Sequence, residues 1–357
     1  MTLESKIKAL RNEIKKRPDD LVMLTELVGL LGSAGKFDQA ISMLEKYLAR
    51  HPDDFEGLVA YGEALIDLGV FENAISVLKH ACEIKPCARA HFTIAKALDL
   101  KGLGEESIRE HNLAIALEPE CGEAYYRLGV TYSRAGNYDE ALAAFKKCLK
   151  FDPSCAKAHS EMALVYDRLA KKEIAISELK KAIDKEPRNA QWHCNLGAIL
   201  GDAGMYEEAI QEFRTAIALG GGGADEHYNL AMALTSRGNL EEAVSEFKQS
   251  LELEPDSAKA LFNLALVYLK KGLHSRAAKC LSRCLELDTD NAKAYFYMGN
   301  ACLGQNDVDG AIACFERSVA VQPQDWKSYY YLGIAYDHKG DKPKAAEAYK
   351  KAESLRQ

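Results

Sequence analysis

Residues 122–153 read GEAYYRLGVTYSRAGNYDEALAAFKKCLKFDP, and they set the period of the whole chain. Tyr125, Leu128, Gly129 and Tyr132 recur at three- and four-residue steps, the spacing of one face of a helix. Gly136 then suits a tight turn, because glycine reaches backbone angles that other residues avoid. A second helical run carries Tyr138, Ala141 and Phe145, and Pro153 stops it. Nothing in the stretch alternates with the period of two that a strand needs. The reading is a helix, a turn and a helix.

Working outward, the prolines repeat the beat. They stand at Pro18, Pro52, Pro86, Pro119, Pro153, Pro187, Pro255 and Pro323, with Gly221 and Thr289 filling two missing beats. Pro343 alone is off the beat, where the first turn of a helix tolerates it. With that proline as position 32, ten repeats start at residues 21, 55, 88, 122, 156, 190, 224, 258, 292 and 326. Position 20 is alanine in nine of the ten, with Ser107 the exception, and position 8 is Gly or Ala in nine, with Val28 the exception. Small residues at both places predict close approach of two helices. Position 24 is Leu, Phe or Tyr except for His111, and position 15 is Gly in eight.

This pattern resembles the tetratricopeptide repeat over residues 21–357. The resemblance implies an all-α fold, a right-handed α-solenoid, with first helices on the concave side and second helices on the convex side. One helix pair cannot bury both faces of its apolar stripe, so stacking the next pair makes a lengthwise core.

Composition narrows the function. A net charge of −7 argues against general nucleic-acid binding, which needs a basic footprint. The N-terminus, MTLESKIKALRNEIKKRPDD, has no apolar run of the secretory kind, and no window approaches membrane-spanning length. A cytoplasmic protein with protein partners is expected, without membrane insertion. The ten cysteines include no Cys-x-x-Cys pair, so no metal or cofactor is expected.

The array departs from its own pattern in four places. Repeat 3 is weak, with His91, Ile94, Ser107 and His111 at pattern positions, and imperfect stacking is expected there. Repeat 6 ends in Gly220–Gly223, a candidate hinge that would divide residues 21–221 from residues 222–357. Residues 1–20 are expected to hold a capping helix over residues 3–17, with Leu10 and Ile14 inward. At the other end Ala345, Tyr349, Ala352 and Leu355 are expected to be partly uncovered, which makes a homo-oligomer through the C-terminal repeat an expectation.

Helical spacing puts positions 2, 5, 6, 9 and 13 of each first helix on one side, which the resemblance makes the groove. Position 6 holds Asn195, Asn229 and Asn263, whose amides pair with peptide backbone of any sequence. This row is similar to the asparagine ladder in the repeat superhelix of O-linked N-acetylglucosamine transferase. Position 5 carries Tyr126, Tyr228, Phe262, Phe296 and Tyr330, position 6 adds Tyr297 and Tyr331, and position 9 adds Asn300. Aromatic rows are good anchors, because rigid rings bury much area at low entropy cost. Lys259, Lys293 and Lys327 recur at position 2 and would favour acidic ligand residues. The carboxylate clamp of chaperone-binding repeats does not fit, because position 5 is never basic and position 9 offers only Lys96 and Asn300. His91, His159, His193 and His227 share position 4 and are read as packing residues in place of an aromatic.

The leading expectation is a non-catalytic scaffold or adaptor that binds extended peptide segments of partner proteins. Alternatives are the substrate-recognition array of a glycosyltransferase-like enzyme and a self-assembling structural scaffold. The P-loop, nucleophile-elbow and His-Glu-x-x-His motifs are absent from the sequence.

Overall fold

The computed structural model describes residues 3–356. They form 21 helices with no strand among the described residues. A single helix, α1 (Leu3–Ile14), comes first. Ten hairpins follow. They are α2 and α3 (Leu21–Ser33, Phe37–Leu48), α4 and α5 (Phe55–Asp67, Phe71–Ile84), α6 and α7 (Ala88–Leu100, Gly104–Leu117), α8 and α9 (Gly122–Arg134, Tyr138–Phe151), and α10 and α11 (Ala156–Arg168, Lys172–Lys185). The rest are α12 and α13 (Ala190–Asp202, Tyr206–Ala218), α14 and α15 (Ala224–Arg237, Leu240–Leu253), α16 and α17 (Ala258–Lys270, His274–Leu287), α18 and α19 (Ala292–Gly304, Val308–Val321), and α20 and α21 (Trp326–Lys339, Lys342–Arg356). The fold is an all-α solenoid of helix pairs.

The chain divides into two compact halves, Met1–Lys185 and Glu186–Gln357. Within each half, the first helices of successive repeats touch one another as well as their own partners, as α4 touches α6 and α14 touches α16. Second helices make no comparable contact among the described residues. Closer packing on one layer bends the stack toward that layer, so the first helices line the inner face of each half.

Three repeating contacts explain why this sequence makes hairpins. Position 20 is buried in every repeat, with no more than 2% exposure at any of the ten residues. Position 24 packs into the space opposite position 8. A β-carbon added at Gly129 would lie 2.5 Å from Phe145, one at Gly299 2.6 Å from Phe315, and one at Gly333 2.6 Å from Tyr349. Four of the five aromatic side chains at position 24 thus face glycine at position 8, as Leu78 faces Gly62, while Phe247 faces Ala231. Each fully buried phenylalanine contributes about 2–3 kcal/mol of transfer free energy. Position 15 has positive φ throughout: eight glycines adopt it, and so do Ala170 (φ 57°) and Asn306 (φ 61°). The turn therefore imposes its geometry even where glycine is missing, against a steric cost of about 1–2 kcal/mol for a side chain such as alanine.

In α1 the buried residue is Ile7, with Leu10 and Ile14 only partly buried beside it, and the helix ends at Ile14. In α21 Ala345 and Ala352 are buried, while Tyr349 and Leu355 are half-buried. Lys342, Lys350 and Glu353 on the same helix are exposed, and Tyr349 and Leu355 are partly uncovered as expected, whereas Ala345 and Ala352 are not. The glycine run lies inside the C-terminal half, in the turn between α13 and α14, which pack on each other. Gly220 takes φ 96°, and the Gly221 amide donates to the Ala216 carbonyl at 3.0 Å.

Repeat 3 packs as a hairpin around polar groups. His111 is 1% exposed and sits 3.5 Å from the Asp99 carboxylate, which also accepts from the Thr131 hydroxyl at 3.0 Å. The buried Ser107 hydroxyl donates to the Ala95 carbonyl. Burial pushes the Asp99 carboxyl up, but hydrogen bonds from His111, Ser107 and Thr131 outweigh it and leave its pKa below the usual value.

Among the described residues, no helix is long and apolar enough to cross a membrane.

Candidate functional site

On the inner face of the C-terminal half, α14, α16, α18 and α20 carry the aromatic residues singled out in the sequence. Phe262 meets Tyr297 at 5.7 Å between ring centres, and Tyr297 meets Phe296 at 5.2 Å. Phe296 meets Tyr331 at 5.1 Å, and Tyr331 meets Tyr330 at 5.9 Å. All four contacts are edge-on, the arrangement that the ring quadrupole favours. Five rings on three successive first helices thus form one continuous run. Phe296 and Tyr331 anchor it by packing on the fully buried Phe315. Tyr330 is 45% exposed, and its ring also meets Tyr349.

Beside this run is an open hollow of ≈ 400 Å³. Phe262, Leu266, Phe296 and Tyr297 give it apolar walls, and Lys293 and Lys327 stand at its rim. Asp325 also lines it, but that carboxylate caps α20 by accepting from the Lys327 and Ser328 amides. The hollow has the size and character of a seat for one or two side chains.

The asparagines do not form one repeated arrangement. Asn263 donates from its amide nitrogen to the Tyr228 hydroxyl at 3.0 Å and to the Lys259 carbonyl at 2.9 Å. Asn195 accepts from Gln191 at 2.9 Å within α12. Asn229 lines a separate hollow of ≈ 410 Å³ with Gly197, Asp202 and Tyr206. Asn300 has a buried carbonyl oxygen that finds no donor. Lys259 pairs with Asp225 at 2.7 Å and lies over the Tyr228 ring at 5.0 Å.

A further set of residues escaped the sequence reading. His91, His159, His193 and His227 are not simple stand-ins for an aromatic. The Nδ1 atom of each meets a glutamate nineteen residues later, at 2.6–2.7 Å: Glu110, Glu178, Glu212 and Glu246. These glutamates occupy position 23, and the other six repeats place Met43, Val77, Ala144, Cys280, Cys314 and Ala348 there. The signal was present in the sequence, because glutamate at position 23 occurs only in repeats with histidine at position 4. Burial pushes the Glu178 carboxyl up, but hydrogen bonds from Lys181 and His159 bring it below the usual value. Burial pushes the Cys82 thiol up to about 11 and also raises those of Cys280 and Cys284, so these sulfurs behave as packing groups.

Models of the tetratricopeptide repeat match residues 33–97, 122–155, 160–224, 258–291 and 296–357, and a TPR repeat model matches residues 231–272. The chain belongs to the tetratricopeptide repeat family. Among solved structures, the C-terminal part of a TPR repeat-containing protein from Cytophaga hutchinsonii is similar at 21% identity and a TM-score of 0.57. The match covers 64% of this chain and 95% of that one. PilF of Pseudomonas aeruginosa is similar at 24% identity, a TM-score of 0.49, and coverage of 62% and 97%. YrrB, described as a TPR protein with an unusual peptide-binding site, is similar at 20% identity, a TM-score of 0.48, and coverage of 52% and 95%. The first of these shares the tetratricopeptide solenoid fold. No curated protein matches the chain by sequence.

Proposed function

We propose that this tetratricopeptide protein is a non-catalytic scaffold that holds extended segments of partner proteins on the inner face of repeats 6–10. The observation that carries this reading is the unbroken ring run from Phe262 to Tyr330 beside an open hollow. Interfaces concentrate their binding energy in such half-buried aromatic anchors, surrounded by contacts that matter less. Asn229, in its own hollow lined by α12, α13 and α14, provides for backbone recognition, and Asn300 on α18 is assigned to it as well although its carbonyl oxygen is buried. Asn195 and Asn263 are also assigned to it, although both already hold intramolecular bonds.

The test is competition between two faces. A partner captured by the intact protein should be lost when Tyr330 and Phe262 are replaced by alanine, with the helical content unchanged. The same partner should be retained when Lys279 and Arg283 on α17 are replaced. Loss of the partner only from the second-helix substitutions would put the site on the other face and end this proposal.

A further inference from the structure

The charges on the inner face sharpen what kind of segment fits it, and this step rests on the reading just given. At positions 2, 5, 6, 9 and 13, repeats 8–10 carry Lys259, Lys270, Lys293 and Lys327 and no carboxylate. The same positions of repeats 1 and 2 carry Glu26, Glu56, Glu63 and Asp67 and no base. Those acids are largely answered from within the chain. Arg89 of repeat 3 reaches Glu63 at 2.7 Å and Glu56 at 3.9 Å, and Lys96 reaches Asp67 at 3.7 Å. In the C-terminal half Asp225 answers Lys259. Lys270, Lys293 and Lys327 make no ion pair among the described residues.

The nearby carboxylates make no ion pair with them. Asp325 spends its oxygens on the start of α20, and Asp337 accepts from the Tyr349 hydroxyl at 2.7 Å. A chain of net charge −7 therefore presents three lysines outside any ion pair, laid along the aromatic run and its hollow, with Asp325 the one carboxylate that lines the hollow. Complementarity of this kind selects partners and steers their approach more than it adds raw affinity.

We infer that repeats 8–10 hold an acidic segment: an extended peptide whose large apolar side chain enters the Phe262–Phe296–Tyr297 hollow while its Asp or Glu residues meet Lys293 and Lys327. Lys270 extends the strip on α16, and Tyr330 offers its exposed ring to a second apolar side chain.

Three synthetic peptides test this, each with the same two phenylalanines and with the remaining positions Asp and Glu, Ser and Gln, or Lys. Fluorescence polarisation with the full chain should show the acidic peptide binding about tenfold tighter than the neutral one at low salt. That ratio should shrink as salt is raised, because exposed charges are screened. The double variant Lys293→Glu, Lys327→Glu changes two exposed side chains and should reverse the order of acidic and basic peptides. Equal binding of all three peptides, weakened by Tyr330→Ala, would overturn the acidic preference and leave the inner-face reading standing. An acidic preference that survives the double reversal would place the charge recognition elsewhere and overturn the inference. Binding of none of the three would overturn both.

Discussion

The two halves of this chain treat the inner face of one repeat differently. In residues 1–185 several charged groups are answered from within: Arg89 joins Glu56 and Glu63, Asp99 gathers Thr131 and His111, and Glu178 takes both His159 and Lys181. In residues 186–357 the inner face leaves Lys293 and Lys327 unanswered and Tyr330 exposed. The difference teaches where to look in a periodic fold. The shared positions build the stack, and the proposed binding face lies where side chains are left without partners in the chain.

Three changes test how self-contained the N-terminal half is. The largest effect should come from Glu178→Ala, which strands a mostly buried histidine and should destabilise that half by about 2–3 kcal/mol in chemical denaturation. Adding His159→Leu and Glu178→Cys together copies the Leu261–Cys280 pair of repeat 8 and should recover most of the loss. A double variant as unstable as the single one would show that the pair does more than join two helices.

Acid should separate the halves next. The carboxyls of Asp99 and Glu178 are both held below their unfolded values. Each therefore contributes stability that is complete above the unfolded pKa, about 4, and is lost as pH falls through the lower folded value. Hydrogen exchange at falling pH should show residues 88–185 opening early, and Asp99→Asn with Glu178→Gln should flatten that dependence. The smallest effect concerns turns. Ala170→Gly should raise the midpoint of thermal unfolding, by about 1 kcal/mol of stability, because alanine is strained at φ 57°. Asn306→Gly should gain less, since asparagine tolerates the left-handed region better.

The fold was legible because its rules repeat. Position 20, position 15 and the proline beat each recur often enough in 357 residues to be read without coordinates, and they place every hairpin. Even the two exceptions at position 15, Ala170 and Asn306, keep the geometry that glycine announces. The site was less legible. Three asparagines at one position suggested one ladder, but the neighbours differ: Gln191 occupies Asn195, Tyr228 occupies Asn263, and a hollow opens beside Asn229. Such contacts depend on side chains from adjacent repeats, which a pattern within one repeat does not contain. The histidine–glutamate pairs failed differently. Each column is visible alone, and the pairing shows only when position 23 is set beside position 4.

The fit of position 24 against position 8 bears on how such a chain can be built and rearranged. Phe145 faces a glycine, Leu179 an alanine, and Leu44 a valine. The columns at positions 4 and 23 are matched as well, histidine with glutamate or tyrosine with alanine or cysteine. A helix moved alone from one repeat into another brings half of two keys. The phenylalanine of α9 set against the valine of α2 would collide, and the histidine of α12 set against α21 would lose its carboxylate. The indivisible module is therefore the whole hairpin, and viable recombination joints fall in the loops between repeats rather than in the tight turn inside one.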